Sequence, residues 1–324
     1  MKKIKWGIIG LGKIAHKMAQ DLILVEDAEL IAVASRDIRK SKAFAQRYHA
    51  TYFYGSYEEL AQNPEVDVVY IATPHVFHYE NTMMCLKAGK SVLCEKAFGM
   101  NEEEVRQMIA EAQKRKLFLM EALWTRFIPA TEKLLQLMER KTIGAIKHLR
   151  ADFGFAANYD PNHRVFYKKL GGGSLLDIGI YPVYLSLLLW GAPQKIKANA
   201  RINQDGIDSF CSMVFEYENQ GQAFLESNLE LDTPTEAYIF GEKGSIKVHS
   251  RFHHSEQLSI YKEKSVVENI PIPYKGNGYY HEISEVNQCL KQGKIESDKM
   301  PLSMSLLLIQ TLDKVRQEIA LYYA

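Results

Sequence analysis

The sequence predicts an α/β fold in two parts: a doubly wound parallel sheet at the N-terminus, then an α+β domain with an open, mainly antiparallel sheet. Three observations carry this. At 324 residues the chain exceeds the usual size of one domain. Its first third alternates short apolar β-rich runs with helical ones, the pattern of parallel strands joined by crossover helices. Beyond that, strand-like runs alternate apolar and polar residues with period two, as antiparallel strands do. The division is expected at 1–121 and 122–324.

The elements follow in order. Ile4 to Ile9 reads as a strand and Ile14 to Leu24 as a helix. Leu30 to Ala34 is a second strand, and Ile38 to Tyr48 a charged helix. Val66 to Ala72 is a third strand, His78 to Ala88 a helix, and Ser91 to Cys94 a fourth strand. Asn101 suits an N-cap, and Glu102, Glu103 and Glu104 place acids in the first helical turn, where the macrodipole favours them. That helix runs towards Lys116, and Leu117 to Glu121 resembles a fifth strand. A helix over Pro129 to Arg140 then leads to strands at Ile146 to Phe155, Lys195 to Asn203, Ser209 to Tyr217 and Gln222 to Leu231. Four more are expected at Glu236 to Phe240, Ser245 to Val248, Gln257 to Tyr261 and Val266 to Ile270. Helices at Tyr280 to Lys291 and Pro301 to Tyr322 close the chain.

Composition narrows the function classes. The formal net charge is +1, and Lys and Arg are scattered rather than gathered in a stripe, which argues against a nucleic-acid-binding face. Partners are expected to be small molecules or a second copy of the chain. Cys85, Cys94, Cys211 and Cys289 form no CxxC pair and no zinc-ligand spacing, so they read as thiols of a reducing compartment. After Met-Lys-Lys comes a glycine-punctuated strand rather than the long apolar core of a signal peptide. The apolar stretch Leu175 to Trp190 contains Asp177 and Pro182 and reads as a core helix, not a membrane span. The expected address is the cytoplasm.

The first motif is Gly10-Leu11-Gly12-Lys13-Ile14-Ala15, a GxGxxA that follows a strand and opens a helix, the context that gives this pattern meaning as a Rossmann dinucleotide fingerprint. Gly10 permits the tight turn, and Gly12 lets backbone approach a pyrophosphate. Ala15 allows close helix–sheet packing, and free N–H groups at the helix start face the phosphates. The end of the second strand reads Val33-Ala34-Ser35-Arg36-Asp37. NAD sites place a carboxylate there for the ribose 2′-hydroxyl. Ser35 followed by the Arg36 guanidinium instead suits a 2′-phosphate, and so NADP. Asp37 keeps NAD open as a carboxylate one step late, and is otherwise the N-cap of the next helix.

Three further segments carry chemistry: Ile71-Ala72-Thr73-Pro74-His75-Val76-Phe77-His78, Cys94-Glu95-Lys96-Ala97, and Gly171-Gly172-Gly173-Ser174-Leu175-Leu176-Asp177-Ile178-Gly179-Ile180-Tyr181. The first two end parallel strands, where open α/β sheets bind ligands. Taken singly, Lys96 reads as a solvated strand-end lysine, Tyr181 as a core aromatic and Asp177 as part of a Ser-x-x-Asp cap begun by Ser174. His253-His254 reads as a solvated pair in a polar loop.

In their order and spacing these motifs resemble the glucose-fructose oxidoreductase / inositol dehydrogenase / MocA family, over essentially the whole chain. Glu121-Ala122-Leu123-Trp124-Thr125-Arg126-Phe127, Asp177-Ile178-Gly179-Ile180-Tyr181-Pro182 and Glu296-Ser297-Asp298-Lys299-Met300-Pro301-Leu302 are most similar to its dimeric dihydrodiol dehydrogenase and NADP-dependent D-xylose dehydrogenase branch. The resemblance implies an NADP-dependent dehydrogenase of a sugar, polyol or trans-dihydrodiol, metal-independent and dimeric through its C-terminal sheet. It implies Lys96 and Tyr181 beside the nicotinamide and the reacting carbon, with Asp177 orienting substrate or Lys96. Cofactor contacts are then expected from Gly10, Leu11, Gly12, Lys13, Ile14, Ser35, Arg36, Thr73, Pro74, His78, Glu95 and Lys96. Pocket walls are expected from Trp124, Arg126, Phe153, Phe155, Arg164 and Tyr167. Two positions depart from the family pattern: Ala97 stands where Pro usually follows Glu-Lys, and His281 where Tyr usually precedes Glu282. Two rival classes stay open, a non-catalytic NADP(H)-binding regulatory protein and a transferase or hydrolase using the nucleotide without net oxidation.

Overall fold

Buried apolar strands at the N-terminus assemble into one parallel sheet. In the computed structural model, which describes residues 3–161, 163–218 and 220–323, this sheet contains β1 (Ile4–Ile9), β2 (Ala28–Ala34), β3 (Tyr52–Tyr54), β4 (Val68–Ile71), β5 (Ser91–Glu95) and β6 (Leu119–Ala122). Between them run α1 (Lys13–Leu22), α2 (Ile38–Tyr48), α3 (Tyr57–Gln62), α4 (His78–Lys87) and α5 (Glu102–Arg115). The strand order is β3-β2-β1-β4-β5-β6, with every pair parallel. The order reverses between β1 and β4, and the crevice at the carboxyl ends of those two strands is where such sheets take ligands.

Caps follow the sequence reading. Asn101 accepts from the Glu104 amide at 2.9 Å, and Asp37 from that of Arg39 at 3.0 Å. The reading missed β3 and α3, so its third strand is the fourth. Tyr52–Tyr54 is only three residues long and none of them is buried, which leaves no apolar run to detect.

The second unit is built on α6 (Pro129–Glu139), β7 (Ile146–Gly154), α7 (Ile180–Trp190) and the strands β8 (Lys195–Ile202), β9 (Asp208–Glu216), β10 (Gln222–Asn228), β11 (Ala237–Gly241), β12 (Gly244–Val248), β13 (Gln257–Lys262) and β14 (Ser265–Pro271). The sheet order is β14-β13-β12-β11-β7-β10-β9-β8. β7 and β10 pair in parallel, and the other neighbours are antiparallel. One helical run, Lys168–Trp190, is long and apolar enough to cross a membrane by length and composition. Its most apolar window is 89% buried within the protein, and α7 packs on β7 and β10, as a core helix does.

Two helices follow, α8 (Tyr279–Lys291) and α9 (Leu302–Glu318). The units are Met1–Trp124 with Lys275–Leu306, and Thr125–Tyr274 with Leu307–Ala324. A single break after residue 121 does not describe this, because the chain returns to its first sheet. Buried Asp21 of α1 accepts from the amides of Asn277 and Tyr280 at 2.8 and 3.0 Å, capping the start of α8. The Trp6 indole donates to Asn287 at 3.0 Å, and the Leu119 amide to the Ile295 carbonyl at 3.0 Å.

Candidate active site

The residues singled out from sequence fall into two groups, one in each unit. In the first, the fingerprint turn sits at the point where the strand order reverses. Gly10 has φ +84°, and a Cβ there would lie 2.8 Å from the backbone of Ala72 and 2.9 Å from the Thr73 amide nitrogen. A side chain is therefore excluded twice, by conformation and by contact. Around Gly12 the opposite holds: a Cβ would meet nothing within 4 Å. Gly12 caps α1 with no side-chain hydrogen bond, and the first turn, Lys13 and Ile14 included, has no acidic residue. Open space, uncapped N–H groups and the positive end of a helix dipole fit the pyrophosphate of a dinucleotide. Leu11 is buried below the turn, whereas Lys13 and Ile14 are exposed.

At the end of β2, Ser35 is buried and its hydroxyl accepts from the Asp37 amide at 3.3 Å. Asp37 is committed to α2: its carboxylate takes the Arg39 amide and, at 3.2 Å, the Arg39 guanidinium. Those contacts hold its pKa below the usual carboxylate value. Arg36 is exposed.

The loops after β4 and β5 are tied to each other. The His78 side chain has no exposed surface, and its Nδ1 and Nε2 lie 2.7 Å from the carbonyl oxygens of Ala97 and Thr73. Carbonyls only accept, so both bonds form together when the ring carries both protons. The Thr73 hydroxyl accepts from Asn81 at 3.2 Å, and Pro74 opens the turn His75–Phe77. The Lys96–Ala97 peptide is cis, with Ala97 buried. Glu95 accepts from the Tyr70 hydroxyl and, at 3.3 Å, from the Lys96 amide. Phe98 donates its amide to Glu121 at 3.1 Å. Trp124 stacks on Tyr279 with ring centroids 4.8 Å apart.

In the second unit, Asp177 and Tyr181 sit where the helix changes character. Leu175–Gly179 is a π turn that passes into α7 at Ile180. The α-helical i, i+4 relation expected between Asp177 and Tyr181 therefore does not describe this stretch. Such π turns recur at functional sites. Ser174 does not cap the turn through its own side chain, contrary to the Ser-x-x-Asp reading. Asp208 of β9 does so instead: its carboxylate accepts from the Leu175 amide at 2.6 Å and the Ser174 hydroxyl at 2.7 Å. Burial pushes its pKa up to about 6 against those bonds.

Asp177 pairs with Arg164 at 2.9 Å. The Tyr181 ring lies 5.7 Å from Phe153 and 4.8 Å from His253, which stacks on Phe153 at 4.4 Å. The reading of His253-His254 as a solvated pair is corrected here, since His253 is 7% exposed and partly buried His254 bonds the Tyr274 hydroxyl at 3.0 Å. Phe153 and Phe155 pack against Val165, Phe166 and Ile178, while Tyr167 is exposed. Arg126 pairs with Glu132 at 2.9 Å. Among the described residues, no group of three or more His, Cys, Asp or Glu side chains is arranged to hold a metal ion.

Sequence reasoning missed Glu121, Asp208 and His253. Only Glu121 had a signal, as the first residue of the Glu121-to-Phe127 motif.

Comparison with known proteins agrees with this geometry. The model of an oxidoreductase family with an NAD-binding Rossmann fold, GFO/IDH/MocA, matches residues 4–123. The GFO/IDH/MocA C-terminal domain matches residues 131–247. The chain is 37% identical over 332 residues to trans-1,2-dihydrobenzene-1,2-diol dehydrogenase from Mus musculus, covering 99% of this chain and 98% of that one. It is 36% identical over 330 residues to the Xenopus tropicalis enzyme of that name, covering 98% and 99%. Among solved structures its fold is similar to a 3-ketoreductase from Actinomadura kijaniata in complex with NADP and TDP-benzene, with TM-score 0.89, 24% identity and 98% of each chain covered. An aldose-aldose oxidoreductase from Caulobacter crescentus complexed with glycerol gives TM-score 0.90, 22% identity and 98% of each chain.

Proposed function

Because the chain belongs to the GFO/IDH/MocA family of NAD(P)-dependent oxidoreductases, we propose that it is an NADP-dependent dehydrogenase of a secondary alcohol or hemiacetal in a trans-dihydrodiol, sugar or polyol. The observation that carries this reading is the full-length likeness to trans-dihydrodiol dehydrogenase. The end of β2 supports the choice of NADP. Asp37 is spent on capping α2, which leaves the Ser35 hydroxyl and the Arg36 guanidinium to receive a 2′-phosphate. Gly10, Leu11, Gly12, Lys13 and Ile14 would hold the pyrophosphate, and Thr73, Pro74, His78, Glu95 and Lys96 the nicotinamide side.

When bound, the nicotinamide supplies the hydride acceptor. The protein's part is the proton. Tyr181 takes it from the substrate hydroxyl as general base. A phenol of ordinary pKa, near ~10, is a weak base at neutral pH, and the Lys96 ammonium is assigned the role of lowering it. Asp177, held by Arg164, orients the substrate. Trp124, Phe153 and Phe155 supply apolar wall, and Arg126, Arg164 and Tyr167 polar contacts.

A screen of NADP+ reduction over pentoses, hexoses, inositols and trans-dihydrodiols tests the reading, run on the wild type and on Arg36→Ala. Turnover of at least one class is expected. The NADP/NAD ratio of kcat/KM should fall about tenfold to a hundredfold in the variant, as the loss of a charge-assisted contact requires. An unchanged ratio would remove Arg36 from the cofactor site.

The second unit is further read as the face of a homodimer. Across β10, β7 and β11, His148 lies 5.0 Å from Phe224 and 5.6 Å from Phe240 by ring centroids. Phe224 is 43% exposed and Phe240 39%. An aromatic patch at the centre of an open sheet is a surface that a second copy would cover. Light scattering behind size exclusion should give twice the chain mass, and Phe224→Glu should shift it to one; a monomeric wild type contradicts the assignment. The four cysteines are free and buried, which suits a reducing, cytoplasmic setting.

A further inference from the structure

We propose that Glu121 is a positioning residue for Lys96: it holds the lysine-bearing loop through the Phe98 amide and supplies the negative charge that keeps the ammonium protonated. Glu121 lies on β6 with its side chain almost wholly buried, at 1% exposure. β5 and β6 are parallel neighbours, with Cys94 opposite Glu121 and Glu95 opposite Ala122. This register sets the Glu121 carboxyl beside the segment that leaves β5 through Lys96. Its Oε1 accepts from Phe98, two residues beyond Lys96, at 3.1 Å. Its Oε2 makes no hydrogen bond of normal geometry, and the Ser305 hydroxyl on α9 gives the ionised form partial support.

A loop anchor alone would not require a charge, because a neutral amide oxygen also accepts an N–H bond. What distinguishes a glutamate is its ionisation. Burial raises the Glu121 carboxyl to about 7, Glu95 adds to that rise, and Lys96, the Phe98 amide and Ser305 oppose it. The charged groups facing it are thus Glu95 and Lys96, both on the β5 side. The Cys94 thiol across the register is driven well above its ordinary pKa by burial and stays protonated. Glu282 of α8 faces Glu95 and Asp21, and burial likewise keeps it in the acid form.

Coupling is mutual: ionised Glu121 favours the Lys96 ammonium, and the ammonium favours ionised Glu121. Rising pH through about 7 therefore switches on the counter-charge of Lys96. The consequence for turnover rests on the reading that Lys96 assists Tyr181; the ionisation itself does not.

The test is a 13C NMR titration of the glutamate carboxyls in the full chain, alongside the pH profile of kcat/KM. One resonance, absent in Glu121→Gln, should titrate with a midpoint near 7, and Lys96→Met should move that midpoint upward. Glu121→Gln should lose the acid limb that the wild type shows near 7, and run about tenfold slower above it, the effect of one unit in a neighbouring pKa. If Glu121→Gln fails to fold, the resonance is identified by its shift in Lys96→Met. The proposal is overturned if every glutamate titrates in the ordinary range near ~4.3, or if Lys96→Met leaves the midpoint in place. Turnover with an unchanged acid limb in Glu121→Gln overturns it as well. A chain that oxidises none of the screened substrates yet shows the titration and its shift would retain the coupling and lose the catalytic reading.

Discussion

Tyr181→Phe is expected to lower kcat by about a hundredfold to ten-thousandfold, the range that a positioned general base contributes. The substitution removes one oxygen and keeps the ring. The packing of that ring against Phe153 and His253, at 5.7 and 4.8 Å, is made by its faces and edges rather than by the hydroxyl, so the second unit should fold as before. NADP binding, assigned to residues of the first unit, should also be unchanged, and quenching of protein fluorescence by the cofactor measures it separately from turnover. Loss of rate with cofactor affinity and melting temperature both retained is the signature of a group acting in the chemical step. A variant turning over within about tenfold of the wild type would leave the proton without the base assigned here.

The parts of the molecule that were legible in the sequence are those whose cause is local. The Gly10-to-Ala15 turn needs a strand before it, a helix after it and glycine where φ is positive, and all three are written within a few residues. The caps at Asp37 and Asn101 are local in the same way. Where two distant segments settle a residue's role, the linear reading had nothing to work from. Asp21 reads as one more polar residue on a helix until Asn277 and Tyr280 arrive more than 250 positions later. His253 stands among Ser250, Arg251 and Ser255 and looks solvated; Phe153 and Tyr181, some 100 and 72 positions upstream, are what bury it. Asp208 caps a turn 33 residues before it from another strand. The π turn itself has no marker in composition, because it is a choice of hydrogen-bond partner rather than of residue type.

Lys96→Met separates the two halves of the proposed mechanism. Methionine keeps an unbranched apolar chain of similar length and removes only the charge. Without the ammonium, Tyr181 should return towards the ordinary phenol value near ~10, and each unit of that return is worth tenfold in the phenolate present at neutral pH. A loss of about a hundredfold to a thousandfold in kcat near neutrality is expected on that basis. Its pH dependence then differs in kind from that of Tyr181→Phe. The Lys96 variant still has its base, so its rate should climb with pH until the phenol ionises, whereas the Tyr181 variant should gain nothing. The double variant should be no slower than Tyr181→Phe alone, because a residue that acts only by tuning the phenol has nothing left to tune. If instead the two losses multiply, Lys96 and Tyr181 act in separate steps, and the coupling between ammonium and phenol has to be given up.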